Sequence, residues 1–436
     1  MSAWLSDSKV PIIDPTAAAA LGGSIKRVDE SIPPSSRGMP PDSRRRPTDA
    51  PPADTLLTRL RLEQAEHPFW QNRLFRACSS GVFNRDDFAF VFSQYYLYSQ
   101  GFTRYLAAVM ANCESDYYRA HLAENIWEEG GGAEPSQRHA EIFRRFLRDG
   151  LNVDVANIDF LDASRFFVRE YLDFCLRSHP AAGSAFLSLG TEGIVPRMYA
   201  VLLDGLLKAG LREEHASFFR IHMECDDAHA ETLEKMMVSY AHLPDWYSTC
   251  QNAMDYALTL RARFFEQLYE AVQARRVQRI VGNIQRGESL APEEPEASTF
   301  VHRPGAAGTP LYGNVNERLG IEFSVERVPF TSEVFDTRIL RIAPRKNNER
   351  HKHPHESLFH VISGRGRVHV NKSSVEVGPG DVVFIPRWAM HQSVNTSDEE
   401  LVILALTDFA LTEQAFLGDH VRTTRLKGVQ TAREQK

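Results

Sequence analysis

The first half of the chain contains a run of possible metal ligands, which reads His222-Met223-Glu224-Cys225-Asp226-Asp227-Ala228-His229. An α-helix turns through about 100° per residue, so the side chains of His222, Asp226 and His229 fall within roughly 60° of one another. Three ligand-type side chains therefore share one stripe of a helix. Such a stripe is also found on solvated helix faces, so the other segments must decide between a metal site and a polar surface.

A second segment places a carboxylate and an imidazole on either side of a turn. Residues 128–139 predict a helix that ends at the glycine run 130–132 and a new helix that begins near Pro135, since proline suits the first helical position. This geometry can bring Glu129 and His139 to one point from two helices. Taken singly, Glu129 is also explained by a salt bridge at a helix end, and His139 by a core histidine with a hydrogen-bond partner.

A third segment predicts a helix over residues 182–208, with Glu192 among apolar neighbours. A carboxylate buried there without compensation would be costly, and a metal ion is one way to satisfy it. Carboxylates and imidazoles that project inward from several helices are how bundle proteins hold two iron or manganese ions. Taken together, the three segments favour a metal pair. An explanation without metal would need a separate polar surface, salt bridge or hydrogen bond for each residue.

Hydrophobic periodicity divides the chain into five segments. Residues 1–53 predict a disordered or weakly ordered tail, 54–285 a helical domain, 286–299 a linker, 300–426 a β domain and 427–436 a second tail. The predicted helices cover residues 87–113, 116–127, 135–148, 164–177, 182–208, 212–242 and 246–282. The predicted strands cover residues 322–328, 335–342, 367–370, 381–385 and 401–406, a spacing that favours a sandwich or barrel. The predicted fold class is multidomain α + β, an all-α bundle followed by an all-β barrel.

The composition is that of a large soluble enzyme. A chain of 436 residues is too long for one ordinary core, and it is 43% hydrophobic and 25% charged. A net charge of −7 without a basic stripe disfavours nucleic-acid binding, and no apolar run approaches the roughly 20 residues that span a bilayer. The five cysteines form no CxxC pair, so a reducing cytoplasm is the expected compartment.

The β segment contains a second set of imidazoles. His351 and His353 alternate on a predicted extended strand and so face one side, and His391 follows in a later segment. These segments resemble the two cupin motifs, and the resemblance implies that the three histidines hold one metal ion inside the barrel. The usual cupin glutamate is replaced by Ser357. Three neutral imidazoles leave positions open on Fe(II) for O₂ and substrate. A metal-free cupin, adventitious zinc or nickel, and His355 as a substitute ligand remain alternatives.

The order of ligands in the helical segment resembles the heme-oxygenase-like di-iron oxidases and oxygenases, over roughly residues 55–285. That resemblance implies two iron ions, with Glu192 as the bridge, and the ligands Glu129, His139, Glu192, His222, Asp226 and His229. Some members supply a further carboxylate from the preceding core helix, where this chain has only Gln94, Gln100 and Thr103. The second iron is therefore expected to be weakly held or partly water-ligated. Heme is disfavoured, because it has no use for this many inward carboxylates.

The fusion of the two domains resembles the N-nitrosating metalloenzymes, one of which acts in streptozotocin biosynthesis. The resemblance implies N-hydroxylation of Nω-methyl-L-arginine, or a related guanidine or amine, at the di-iron site. It further implies oxidative rearrangement to an N-nitroso product at the cupin iron. The implied requirements are Fe(II)/Fe(III), O₂ and an external electron donor, and the implied assembly is a homodimer. Two alternatives remain: an oxidase acting on another amino acid with a non-catalytic, ligand-binding or dimerising cupin, and a non-enzymatic cupin sensor on a helical scaffold.

Overall fold

The computed structural model describes residues 52–287, 300–303, 308–330, 332–414 and 424–425, with the side chains of residues 224–229 and 424–425 outside that description. The predicted tails over 1–53 and 427–436 and the predicted linker over 286–299 therefore lie almost wholly outside the described residues. Within the described range, no helix is both long enough and apolar enough to cross a membrane.

Helices make up the described chain from residue 53 to residue 286, joined by short turns. Their bounds are α1 Ala53–Glu66, α2 Arg73–Ser80, α3 Arg85–Ser99, α4 Phe102–Asn112, α5 Asp116–Glu129, α6 His139–Arg145, α7 Asp162–Arg177, α8 Pro180–Ser188, α9 Val195–Lys208, α10 Ser217–Ser239 and α11 Trp246–Arg286. The buried core is rich in aromatic residues, among them Phe88, Phe92 and Tyr95 of α3, and the ring of Tyr95 contacts that of Phe265 of α11. Large aromatic side chains bury much apolar surface and so dominate the stability of such a core.

Two predicted helices are wrong as single elements, because the chain turns inside each. The helix predicted over 87–113 is interrupted at Gln100 and Gly101, which separate α3 from α4. The helix predicted over 182–208 ends at Ser188, and Glu192 lies in the 3₁₀ turn Glu192–Ile194 before α9 begins. Proline lacks the amide hydrogen that a helix interior needs, so Pro196 belongs in the first turn of a new helix.

The helix predicted over 135–148 begins later than expected. Pro135–Gln137 forms a separate 3₁₀ turn, and α6 starts at His139. After Arg145 the chain continues as a π-helical turn, Phe146–Gly150. The imidazole of His139 therefore projects from the first residue of a helix.

The β domain consists of two antiparallel sheets. The strands are β1 Thr309–Asn316, β2 Ile321–Arg327, β3 Asp336–Ile342, β4 His351–Lys352, β5 Ser357–Ser363, β6 Gly366–Val370, β7 Ser373–Val377, β8 Val382–Ile385, β9 His391–Asn395, β10 Leu401–Thr407 and β11 Thr424–Arg425. One sheet has the order β1-β2-β3-β10-β5-β8 and the other β11-β4-β9-β6-β7. The five predicted strands correspond to β2, β3, β6, β8 and β10, whereas β1, β5 and β7 were not predicted as strands.

The strand expected to carry both His351 and His353 is shorter than predicted. Only His351 and Lys352 form β4, and His351 pairs with His391 of β9. His353 directly follows β4, and its carbonyl accepts a hydrogen bond from the Trp388 amide at 2.9 Å. The strand therefore carries only the first of the two rings.

A short helix, α12 (Phe409–Gln414), follows β10 and packs against α11. The side-chain amide of Asn283, near the end of α11, donates a hydrogen bond of 3.0 Å to Glu333 of the β domain. These contacts tie the long last helix of the bundle to the β domain.

Candidate metal centres

The first cluster of possible ligands lies among the helices. Glu129 is the last residue of α5, His139 the first of α6, and His222 stands in α10. The ligand atoms of these three side chains all lie within 4.8 Å of one another. The carboxylate and both rings are largely shielded from solvent, with Glu129 only 5% exposed. Shielded carboxylate and imidazole groups this close together are a donor set that suits iron.

The turn between α5 and α6 explains how Glu129 and His139 meet. Gly131 and Gly132 have φ of +83° and +57°, a region that L side chains rarely adopt. A Cβ on Gly131 would lie 2.5 Å from the amide nitrogen of Arg138. The backbone at Arg138 therefore lies too close to residue 131 for any side chain there. Glu129 Oε2 and His139 Nδ1 are thereby brought to 2.8 Å. The glycine run is therefore what closes this side of the cluster.

Replacing Gly131 by alanine should loosen the cluster. The substitution combines an unfavourable φ with a clash against backbone, and we expect a loss of about 1–3 kcal/mol in the free energy of unfolding together with poorer metal retention. Gly210 is the matched control, since its φ is +87° but nothing lies within 4 Å of an added Cβ. Urea unfolding and metal analysis of both variants test this. Equal behaviour of the two would show that the tight turn does not hold Glu129 and His139 together.

The orientation of His222 is fixed within its own helix. Its Nδ1 lies 2.7 Å from the carbonyl oxygen of Phe218, one turn earlier. A carbonyl only accepts hydrogen bonds, so Nδ1 carries the proton and Nε2 is the ring atom that can offer a lone pair to a metal. The ring also packs against Phe218 and Tyr199, with centroids 4.2 and 5.8 Å away.

Glu192 reaches the same place from the turn before α9. It is 4% exposed and lines a cavity of about 30 Å³ together with Glu129, His139 and His222. It is not one of the three residues whose ligand atoms lie within 4.8 Å of one another. Asp226 and His229, the other two predicted ligands, follow His222 on α10 by one and two turns, but their side chains lie outside the described residues.

The second cluster lies inside the β domain and contains only histidines. The ligand atoms of His351, His353 and His391 lie within 4.8 Å of one another. The ring centroids are 4.3 Å apart for His351 and His391, and 4.8 Å apart for His353 and His391. All three predicted barrel ligands are therefore brought together.

Each of these three rings is held in the same tautomer by the backbone. The Nδ1 atoms lie 2.9 Å from the carbonyl oxygens of Glu349, His355 and Ala389 respectively. Each Nδ1 is therefore the donor, which leaves Nε2 as the ligand atom. His391 Nε2 is buried and has no hydrogen-bond partner among the described residues. An orphaned lone pair of this kind fits a metal ion.

Burial keeps the cluster uncharged. Burial, and to a lesser extent the neighbouring imidazoles, lower the pKa of His353 to about 2 and the pKa of His391 to about 4. Both pKa values lie well below neutral pH, so both rings are neutral in the folded protein. Neutral imidazole is the form that binds a metal ion.

His355 takes a different position from the one expected of a ligand. Its ring stacks on His353 at 3.5 Å between centroids and 7° between planes, and it is not part of the close cluster. Burial lowers its pKa to about 3. Its Nδ1 and the hydroxyl of Ser357 are both buried without a hydrogen-bond partner within the described part of the chain. The geometry therefore favours three histidines over a set that includes His355.

A pocket of about 490 Å³ opens onto the three histidines. Its walls are largely apolar, with Phe323, Leu340 and Phe359 among them, and Glu349 and Glu413 supply carboxylates. Pockets of this size and character commonly hold small molecules.

Sequence reasoning missed a charged side chain beside the helical cluster. Arg261 of α11 is 1% exposed and lines the same small cavity as Glu192 and His222. The signal was present in the sequence, because residues 257, 258, 264, 265 and 268 on the same helix face are all apolar. An arginine inside such a stripe is a strong indication of a special role.

Known families match both halves of the chain. Residues 89–261 match the family described as iron-containing redox enzyme (Haem_oxygenas_2), and residues 338–407 match the cupin domain family (Cupin_2). The predicted fold class is thereby confirmed: a heme-oxygenase-like helical domain is followed by a cupin domain. The matches support an oxidoreductase that uses iron.

Two curated relatives carry enzyme names. A 5-aminosalicylate 1,2-dioxygenase of Comamonas is 31% identical over 104 residues, which is 24% of this chain and 26% of the dioxygenase. A 4-aminobenzoate synthase of Chlamydia pneumoniae is 26% identical over 175 residues, 39% of this chain and 74% of the synthase. This chain thus matches about a quarter of the dioxygenase's own length. Among solved structures, a cupin-2 domain from Rhodospirillum rubrum is 19% identical and covers 29% of this chain and 86% of its own, with a TM-score of 0.22.

Proposed function

We propose that this chain, which joins a heme-oxygenase-like helical domain to a cupin domain, is an O₂-dependent non-heme iron oxygenase with two successive sites. The helical site N-hydroxylates a guanidine or amine, with Nω-methyl-L-arginine or a related amino acid as the expected substrate. The cupin site then rearranges the hydroxylated compound to an N-nitroso product. The observation that carries this proposal is that each domain gathers its own cluster of ligand atoms, Glu129 with two histidines in one and three histidines in the other.

The ligand assignment follows from the two clusters. The helical site would hold two iron ions through Glu129, His139, Glu192, His222, Asp226 and His229. The cupin site would hold one through His351, His353 and His391. Iron at these positions would supply the electrons that activate O₂, and an external reductant would restore them. An electron-donor protein and a homodimeric assembly belong to the same proposal.

The protein's own groups prepare the cupin site for a cationic substrate. The three Nδ1 hydrogen bonds fix the imidazoles before a metal arrives, so little freedom is lost on binding. The apolar walls of the pocket exclude water from the reacting atoms. Glu413 offers a carboxylate, which suits the planar fork of a guanidinium group. These features support a guanidine as the substrate class.

A second candidate function is an oxidase acting on another amine or amino acid, with a cupin that binds a ligand or stabilises a dimer without chemistry. The match to 4-aminobenzoate synthase favours it, because its 175 residues exceed the length of the β domain and must include helical residues. In this alternative only the helical cluster reacts, on another amine or amino acid, and the relative's name gives 4-aminobenzoate as that protein's product.

Mass spectrometry of products separates the two functions. The iron-loaded protein would be given O₂, reductant and a panel of methylated arginines and aminobenzoates labelled with ¹⁵N. We expect hydroxylated and then N-nitroso products from a methylated arginine. Oxidation of an aminobenzoate without any reaction of a methylated arginine would support the second function, and oxidation of neither class would contradict the first.

A further inference from the structure

Arg261 is a buried cation held only by neutral groups. Its Nη1 donates a hydrogen bond to the hydroxyl of Tyr95 at 3.4 Å, and its Nη2 donates to the hydroxyls of Tyr98 and Tyr171 at 3.0 and 2.9 Å. Guanidinium does not lose its proton in proteins, so the charge remains although the side chain is only 1% exposed. A buried charge without an opposite partner is strongly unfavourable.

One of its donors is also unused. Arg261 Nε is buried and makes no hydrogen bond to any described residue, and no carboxylate of the described chain forms an ion pair with this guanidinium. Tyr171 in turn is linked to Thr191, next to Glu192, by a short hydrogen bond between hydroxyls. The cation therefore stands next to the helical cluster without a direct ion pair to any described carboxylate.

The cavity beside Arg261 is very small. Its volume is about 30 Å³, enough to hold a small ligand since a cavity admits one water molecule at about 10–15 Å³, and Glu129, His139, Glu192 and His222 complete its walls. A space of this size suits a ligand of two or three atoms, and a negative charge on such a ligand would compensate the guanidinium.

We infer that Arg261 and this cavity form a binding site for a small anion beside the helical ligand cluster, of the size of azide or reduced dioxygen. The inference rests on the proposed function, because the metal ions held by the cluster would form the other wall of the site. Arg261 stabilises the negative charge that O₂ acquires as it is reduced, and the tyrosine hydroxyls fix the guanidinium in place. A preoriented cation in a dry cavity is an effective way to stabilise such charge.

Azide is the probe that tests this site. Titration of the iron(III)-loaded full-length protein with azide, in a His391→Ala background that lacks the cupin iron, is followed by its charge-transfer absorption and gives a Kd for each variant at a measured iron content. We expect Arg261→Gln to raise the azide Kd by about tenfold or more, which corresponds to about 1.4 kcal/mol. Arg261→Lys keeps the charge but loses the planar set of N–H donors, so the azide Kd should rise by a smaller factor, about threefold.

A control variant separates anion binding from a merely structural role. Arg276→Gln removes another buried arginine of α11, one that pairs with Asp87. It should keep the azide Kd within about twofold of the value without this substitution. A structural role for Arg261 would lower the melting temperature without moving the Kd.

The outcomes distinguish this inference from the proposed function. Iron-loaded Arg261 variants that bind azide as tightly as the wild type overturn the anion site alone. If Arg261→Gln does not fold, an unchanged Kd in Arg261→Lys has the same meaning. Wild-type protein that takes up no iron in its helical domain overturns the proposed function, and the anion site with it.

Discussion

Replacing His391 by alanine should empty the cupin site and stop the reaction at the hydroxylated intermediate. The site has three imidazoles and no carboxylate, so the loss of one leaves two neutral ligands. Mutation of residues that only hydrogen-bond to the metal ligands commonly lowers metal affinity 10- to 100-fold. We therefore expect the affinity of this site for iron to fall by at least about 100-fold. Metal analysis should show about one iron fewer per chain, and mass spectrometry should show accumulation of the hydroxylated substrate.

His360→Ala is the matched control for this experiment. His360 is a histidine of β5 that lies outside the close cluster, so its loss should leave the iron content and the final product unchanged. Two results for His391→Ala would be informative in different ways. Retention of the cupin iron would contradict the three-histidine site. Loss of the iron with formation of the usual N-nitroso product would show that the cupin iron takes no part in the reaction. That result would favour a non-catalytic cupin, as in the second function.

Replacing Glu129 by glutamine should abolish the first stage of the reaction. Glutamine has nearly the same shape, but it removes the negative charge that stands 2.8 Å from His139 and the oxygen ligand that ferric iron prefers. We expect the helical domain to lose most of its roughly two irons while the cupin keeps its own. Consumption of the starting substrate should fall by at least about 1,000-fold, equivalent to some 4 kcal/mol.

Glu124→Gln provides the comparison, since Glu124 lies on the same helix as Glu129 but is exposed. The control should behave as the wild type in iron content, melting temperature and substrate consumption. If Glu129→Gln instead keeps its helical iron and its activity, the carboxylate forms only a salt bridge with His139, and the oxygenase proposal fails.

The sequence was sufficient to predict the contact between Glu129 and His139, because the features that produce it are local. A glycine run and a proline determine where one helix ends and where the next can begin, and both residues lie within a dozen positions. The three cupin histidines were predicted from motif resemblance, although the strand invoked to align His351 and His353 is only two residues long. Local signals of this kind do not depend on the rest of the fold.

Two features of the helical site depend on tertiary contacts and could not be predicted in that way. Glu192 lies in a turn because Gly190 lets the chain pass directly against Ala257 of α11, nearly 70 residues away. The hydroxyl groups that hold Arg261 come from α3 and α7. Periodicity indicates that residue 261 is buried, but it does not indicate which side chains surround it.

The cupin pocket is not made by the barrel alone. Val82, from the loop between α2 and α3, lines it, and so do Phe409 and Glu413 of α12, a helix that packs on α11. A transplant of the barrel onto another helical partner would therefore change which molecules fit above its histidines. Natural variation in a loop of the bundle would do the same, so the two halves are expected to evolve their substrate preference as one inherited unit instead of as exchangeable modules.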